Sequence, residues 1–303
     1  MKALVIGFGS IGNRHARLLA DLGLDVAAVS RRTVDVAPLY GAIPEAVADW
    51  NPDYVVVASR THEHRGDFEA LAKSGFQGTV LMEKPLFERG DDVPVHGFGQ
   101  VFVAYNMRFH PVVARFRELL EGTAPYAVHA YVGQYLPDWR PDTDYRQGYS
   151  AIKALGGGVL RDLSHELDAL NWMLEGWTRM TALGGHVSNL EIDSDDVFSL
   201  LFETNRCPVA SVQMNYLDSR LNRTITALTN RGTIRADLVA GTVAFDGEIE
   251  TFTPEYDDTY IAQHRAVLDG DNDVLCSLKE GFDVIAMIDA AETAALEKKW
   301  VAA

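Results

Sequence analysis

Met1-Lys-Ala-Leu-Val-Ile-Gly7-Phe-Gly9-Ser10-Ile11-Gly12 opens the chain, and the fold of its first domain is decided in these twelve residues. A short apolar run, Ala3 to Ile6, breaks at once into the pattern Gly-x-Gly-x-x-Gly. Ile11, Ala16, Leu18, Leu19 and Leu22 then recur at helical spacing. Strand, glycine turn and helix in that order are the parts of a dinucleotide-binding βαβ unit. Gly7 permits the tight turn. Gly9 lets backbone approach a pyrophosphate with no Cβ in the way, and Gly12 lets helix and strand pack closely. The free N–H groups of the helix start, at Ser10 and Ile11, face the phosphate charge.

Leu24 to Val29 reads as the next parallel strand, and its end is where an adenosine ribose would lie. NAD sites usually place a carboxylate there; this chain has Ser30-Arg31-Arg32. Two guanidiniums can hold a 2′-phosphate through charge-assisted contacts, so NADP(H) is favoured over NAD(H). The alternative is that Arg31 and Arg32 only solvate a loop.

The chain of 303 residues has room for two domains. Its formal net charge of −16 argues against nucleic acid or an anionic membrane surface as a partner. Cys207 and Cys276 lie in unrelated contexts without metal spacing, which predicts reduced thiols and no metal. With no signal-peptide layout and no long apolar run, a cytoplasmic protein is expected.

Further strands are expected at Asp53–Ala58, Gly78–Met82 and Gln100–Tyr105, and helices at Ala42–Trp50 and Gly66–Ser74. This alternation gives a doubly wound parallel sheet over residues 1–105. Beyond it, residues 106–303 alternate differently. Tyr126–Tyr135, Asp196–Glu203, Val209–Tyr216, Arg223–Thr229 and Gly232–Leu238 predict an antiparallel or mixed sheet. One helix is expected over about Asp162–Leu174, and a long one over about Asp273–Lys298.

Ligands of open parallel sheets bind beyond the strand carboxyl ends. Ser59, Thr61 and His64 follow the third strand, and Glu83-Lys84-Pro85 follows the fourth, so the cofactor pocket is expected among them. Lys84 can hydrogen-bond a substrate hydroxyl there, although Glu-Lys-Pro also occurs as a plain solvated turn. Asp162 and His165, three apart after the triple glycine Gly156–Gly158, are expected on one helix face. His165 then serves as general acid/base with Asp162 orienting it, or the pair is merely a helix cap and a packed histidine. Trp139, Arg140, Tyr145 and Arg146 form an aromatic, basic loop suited to an acidic sugar, with Arg108 just past the domain junction. The same loop can instead pack down, with its arginines paired to Asp138, Asp142 and Asp144.

Taken in order, the glycine motif, Glu83-Lys84-Pro85, Tyr105-Asn-Met-Arg-Phe-His-Pro111 and the Gly-Gly-Gly…Asp162…His165…Asp168 stretch resemble the Gfo/Idh/MocA family over essentially the whole chain. The resemblance implies an N-terminal Rossmann domain and a C-terminal α/β domain. The open sheet of the second domain would cover the active site and often makes the oligomer contact, here a homodimer or homotetramer. It also implies reversible hydride transfer between a nicotinamide and a hydroxyl of a sugar, sugar acid or nucleotide sugar. The family's catalytic lysine falls on Lys84, its motif aspartate on Asp162 and its motif histidine on His165. Many relatives place three residues between that aspartate and histidine; here only Leu163 and Ser164 intervene. Glycoside cleavage or epimerisation with recycled cofactor, and a non-catalytic nucleotide sensor, are the alternative functions.

Overall fold

The computed structural model describes residues 1–90 and 92–303 and divides the chain into two compact units. The first comprises Met1–Asn106 and Tyr260–Phe282; the second comprises Met107–Thr259 and Asp283–Ala303.

The first unit begins with β1 (Lys2–Ile6), α1 (Ser10–Asp21), β2 (Asp25–Val29), β3 (Leu39–Tyr40) and α2 (Ile43–Trp50). It continues with β4 (Tyr54–Val57), α3 (His64–Lys73), β5 (Thr79–Met82) and β6 (Gln100–Val103). The strands order as β6-β5-β4-β1-β2-β3, all parallel, which is the doubly wound sheet expected. Its central strands are covered on both faces, so they read as unbroken apolar runs. Leu4, Val5, Val55, Val56, Val57, Val80 and Leu81 are all fully buried. Burial of each such side chain stabilises the fold by about 1.5–3 kcal/mol.

In the second unit come α4 (Pro111–Leu120), β7 (Pro125–Gly133), α5 (Val159–Asp162), α6 (His165–Met173) and β8 (Trp177–Gly185). They are followed by β9 (Val197–Thr204), β10 (Ala210–Asn215), β11 (Asn222–Thr229), β12 (Gly232–Asp237), β13 (Thr242–Phe245) and β14 (Glu248–Thr251). A nine-stranded sheet runs β14-β13-β12-β11-β7-β10-β9-β8, closed by Val301–Ala302 on β8. Only the β7–β10 pair is parallel. Val128, Ala130, Phe198, Leu200, Val212, Met214, Ile225 and Ala227 alternate into the buried face. Leu183, Leu201 and Leu228, one residue out of phase, are exposed on the other face.

Several elements depart from expectation: α4, β8, β13 and β14 have no counterpart among those expected from sequence, and two expected helices differ in extent. Residues 162–174 are not one helix: α5 ends at Asp162, Leu163 leaves helical geometry (φ −100°, ψ 23°), and His165 starts α6. The expected helix from Asp273 begins only at Leu278, because Cys276–Ser277 pairs antiparallel with β6 as a seventh strand of the first sheet. The helix Asp258–Asp269, which is α7, has no counterpart among the elements expected from sequence. Its buried face carries Thr259, Gln263 and His264 as well as Ala266 and Val267, so no apolar stripe marks it. Both cysteines are buried. Among the described residues no helix is long and apolar enough to cross a membrane.

Candidate active site

The glycine turn is built as its residue types require. Gly7 has φ +86°, and a Cβ there would lie 2.4 Å from the Ser59 amide nitrogen. A Cβ on Gly12 would lie 2.0 Å from the Gly7 carbonyl oxygen. These two glycines serve the packing of α1 against the sheet. Gly9 differs: it caps α1, and a Cβ on it would meet nothing within 4 Å. Open space at the capping residue of a helix whose first amides belong to Ser10 and Ile11 suits the approach of a pyrophosphate. Residues present and space present therefore suit a dinucleotide.

At the end of β2, the Arg31 guanidinium pairs with the Glu63 carboxylate, while the Arg31 side chain remains 83 % exposed. Burial alone would raise the Glu63 carboxyl, but the Arg31 hydrogen bond, the Arg60 amide and the Arg31 charge hold it below its ordinary range. Arg32 donates its amide to the Ser30 hydroxyl at 3.0 Å. So a carboxylate does stand beside Arg31 at the end of β2, supplied by a loop distant in sequence.

Thr61 and His64 are both buried. His64 braces two loops. Its Nε2 lies 3.1 Å from the Ser59 carbonyl, and its Nδ1 lies 3.0 and 3.2 Å from the carbonyls of Pro85 and Leu86. It thereby ties the turn after β4 to the segment carrying Lys84. Glu83 is buried, and Lys84 beside it is half-buried. The Glu83 carboxylate accepts from the Lys84 amide at 3.1 Å and meets His15 Nε2 at 2.8 Å. Burial pushes the Glu83 carboxyl up. The hydrogen bond from His15, the charge of Lys84 and the Lys84 amide outweigh it, so the group sits below its ordinary value. His15 is a residue that sequence reading missed, because on α1 it looks like any half-polar helix position.

In the second unit, the triple glycine is architectural. A Cβ on Gly157 would lie 2.1 Å from the Tyr149 carbonyl, and Gly158 has φ +121° with Asp195 at 2.2 Å from the same position. Asp195 caps α5 by accepting the Leu160 amide at 3.0 Å. The Asp162 carboxylate accepts from the Tyr216 hydroxyl at 2.6 Å and from Tyr149. Burial first, then the Asp162 charge, pushes both phenols well above their ordinary range. Neither tyrosine was singled out from sequence, since their approach to Asp162 is made by tertiary packing. His165 stands half-buried at the first position of α6.

The expected substrate residues part company. Arg108 is 1 % exposed in its side chain and is bound bidentately by Asp168, equally buried, at 2.7–3.2 Å. Trp172 stacks on the same guanidinium at 4.8 Å. The expectation of Arg108 as a substrate ligand gives way to a structural ion pair, because a buried charge must be paired where it lies. Trp139 packs edge-on to Tyr216 at 5.2 Å and donates Nε1–H to the Gln134 carbonyl. Tyr145 accepts the Glu191 amide at 3.3 Å. Arg146 is taken by Asp144 at 2.8 Å and Glu191 at 3.1 Å. Arg140 is exposed, and its guanidinium meets no carboxylate among the described residues.

A glycine cradle at the head of a doubly wound parallel sheet defines a Rossmann-type nucleotide-binding unit, and the mainly antiparallel second unit carries a tyrosine-held aspartate three residues before a histidine. Two family models agree: residues 1–93 match "Oxidoreductase family, NAD-binding Rossmann fold", and residues 113–235 match the "GFO/IDH/MocA C-terminal domain". The chain belongs to the Gfo/Idh/MocA family of oxidoreductases. It is 26 % identical over 156 residues to levoglucosan dehydrogenase of Pseudarthrobacter phenanthrenivorans. That match spans 46 % of this chain but only 39 % of the relative's length. In fold the chain is similar to the levoglucosan dehydrogenase–NADH complex, with TM-score 0.84, 18 % identity, and 100 % and 98 % of the two chains covered. It is likewise similar to the WlbA dehydrogenase from Bordetella pertussis in complex with NADH and UDP-GlcNAcA. There the TM-score is 0.82, identity 18 %, and coverage 100 % and 97 %.

Proposed function

We propose that this protein is an NAD(P)-dependent dehydrogenase/reductase acting on a hydroxyl or carbonyl of a sugar, sugar acid or nucleotide sugar. The observation that carries the reading is the open space at Gly9, the capping residue of α1, in a chain of this oxidoreductase family. The bound nicotinamide would accept or supply the hydride. Lys84 hydrogen-bonds the reacting oxygen of the substrate. His165 takes the hydroxyl proton in oxidation and returns it in reduction, and Asp162, three residues before it and held by Tyr149 and Tyr216, contributes a fixed carboxylate. Arg140 is the basic group of the 139–146 loop with its guanidinium still available to an anionic substrate group.

NADP(H) is the preferred cofactor in this reading, with Arg31 and Arg32 holding the 2′-phosphate. The phosphate must displace Glu63 from Arg31, so the preference is modest. A second copy covers the Leu183–Leu201–Leu228 face of the nine-stranded sheet, giving a homodimer or homotetramer. Calorimetric titration of cofactor-stripped protein with NADPH and NADH tests the function. Tighter NADPH binding supports the arginine site; tighter NADH binding removes it and keeps the dehydrogenase; binding of neither removes both.

A further inference from the structure

Four buried titratable side chains lie end to end in the first unit, and the reaction proposed above uses none of them directly. His15 is fully buried, with Nε2 2.8 Å from Glu83 Oε1 and Nδ1 2.8 Å from His264 Nε2. The Nδ1 atom of His264, also fully buried on α7, lies 3.0 Å from the Tyr54 hydroxyl at the start of β4. At the other end, the second Glu83 oxygen accepts the Lys84 amide. Tyr260 meets His15 edge-on at 5.6 Å, and Arg14 stacks on Tyr260 at 4.9 Å.

Each link carries one proton, and both ends set its direction. The Tyr54 hydroxyl is fully buried and meets no second hydrogen-bond partner among the described residues, so its proton goes to His264 Nδ1. His264 is then protonated at Nε2 and donates to His15 Nδ1. His15, with Nδ1 accepting, donates from Nε2 to Glu83. An ionised carboxylate only accepts, so the last link agrees with the first. Burial above all presses the His264 pKa well below its ordinary value, and burial holds the Tyr54 hydroxyl protonated. Every proton in the chain points towards Glu83.

We propose that His15 is a positioning residue for Lys84. Through this one-way chain it locks the Glu83 carboxylate onto the Lys84 amide and so fixes the backbone from which the lysine side chain reaches the substrate. The inference rests on the Lys84 role given above. It implies that Glu83 acts as a double acceptor, His15 on one oxygen and Lys84 on the other, which a glutamine in the same volume cannot do. In the Glu83→Gln variant, an amide oxygen turned to His15 leaves the amide NH2 facing the Lys84 N–H, donor to donor.

Nitrogen-15 NMR of the histidine rings and hydrogen exchange at the Lys84 amide test this on the whole protein. In the wild type, His15 and His264 are expected to carry their proton on Nε2 alone. Glu83→Gln is expected to speed exchange at the Lys84 amide by about tenfold, the loss of roughly one hydrogen bond. It should also change Lys84 acetylation by N-hydroxysuccinimidyl acetate severalfold relative to Lys73 and Lys153, read by peptide mass spectrometry. His15→Ala should do the same, and His15→Gln, which restores a donor to Glu83, should bring both readouts back towards wild type. A His15 ring protonated at Nδ1, or Glu83→Gln with wild-type exchange and labelling at Lys84, overturns the proposal. NADPH titration of the same samples separates the two readings. A wild type that binds no cofactor removes the dehydrogenase, while the tautomers and the Lys84 readouts still decide the chain.

Discussion

Alanine at Gly9 separates the two jobs of the glycine turn, packing and phosphate approach. The backbone there, φ −81° and ψ −164°, suits alanine, and the added methyl meets nothing within 4 Å. Lower freedom of the unfolded chain stabilises Gly9→Ala by about 0.4–1 kcal/mol. Alanine is a poorer N-cap than glycine by an amount of similar order, so folding stability should change little. The methyl nevertheless fills the space into which the pyrophosphate would come. Overpacking by one methyl costs about 1–3 kcal/mol, or roughly 5- to 150-fold in affinity for NADH and NADPH alike. Gly12→Ala is the control. Its methyl would sit 2.0 Å from the Gly7 carbonyl oxygen, a contact the backbone itself must relieve. That variant should lose melting temperature by several degrees, at roughly 2–4 °C per kcal/mol. Calorimetric titration and thermal melts of the two variants read both effects. Gly9→Ala binding either cofactor as tightly as wild type would refute the phosphate approach at this turn.

Lys84→Ala is expected to abolish turnover on any sugar the wild type oxidises while NAD(P)H titration stays near normal; retained turnover would exclude Lys84 from the chemistry. Asp168→Ala removes the carboxylate that pairs with the buried Arg108 and should cost about 3–5 kcal/mol in denaturant unfolding, whereas an Arg108→Met, Asp168→Leu pair should recover much of that loss. Glu63→Gln frees Arg31, so NADPH binding should tighten about two- to fivefold with NADH unchanged; equal gains for both cofactors would place the 2′-phosphate elsewhere. His110 caps α4 by accepting the Val112 amide at 3.3 Å, and burial, then the Arg223 charge, lowers its pKa from 6.5 to about 4. The unfolded chain therefore binds the proton first, and stability should fall as pH drops from 6.5 to about 4, then level off. His110→Asn keeps a capping side chain and should flatten that part of the stability profile.

The local parts of this protein were legible in its sequence. The run Ala3–Ile6 with its three glycines predicted strand, turn and helix where β1 and α1 stand, because a buried parallel strand and a nucleotide turn each impose a local residue pattern. In the second sheet β7 and β9 to β12 followed from their period of two, whereas β8, β13, β14 and Val301–Ala302 were not expected from sequence. Helix periodicity did less well where buried faces are polar: α7 hides Gln263 and His264, and no hydrophobic stripe announces it.

What only tertiary structure decided is which polar side chain meets which. Glu63 reaches Arg31 across 32 positions, Tyr216 reaches Asp162 across 54, and His264 reaches His15 across 249. Hydrogen bonds and ion pairs depend on distances of a few ångströms between groups that chain order leaves unrelated. The sequence by itself determined a Rossmann unit and a second sheet, and offered candidate residues for the chemistry. The folded chain determined that Arg108 is a buried strut and that a proton chain stands behind Lys84, because burial forces every polar group to find its partner in space.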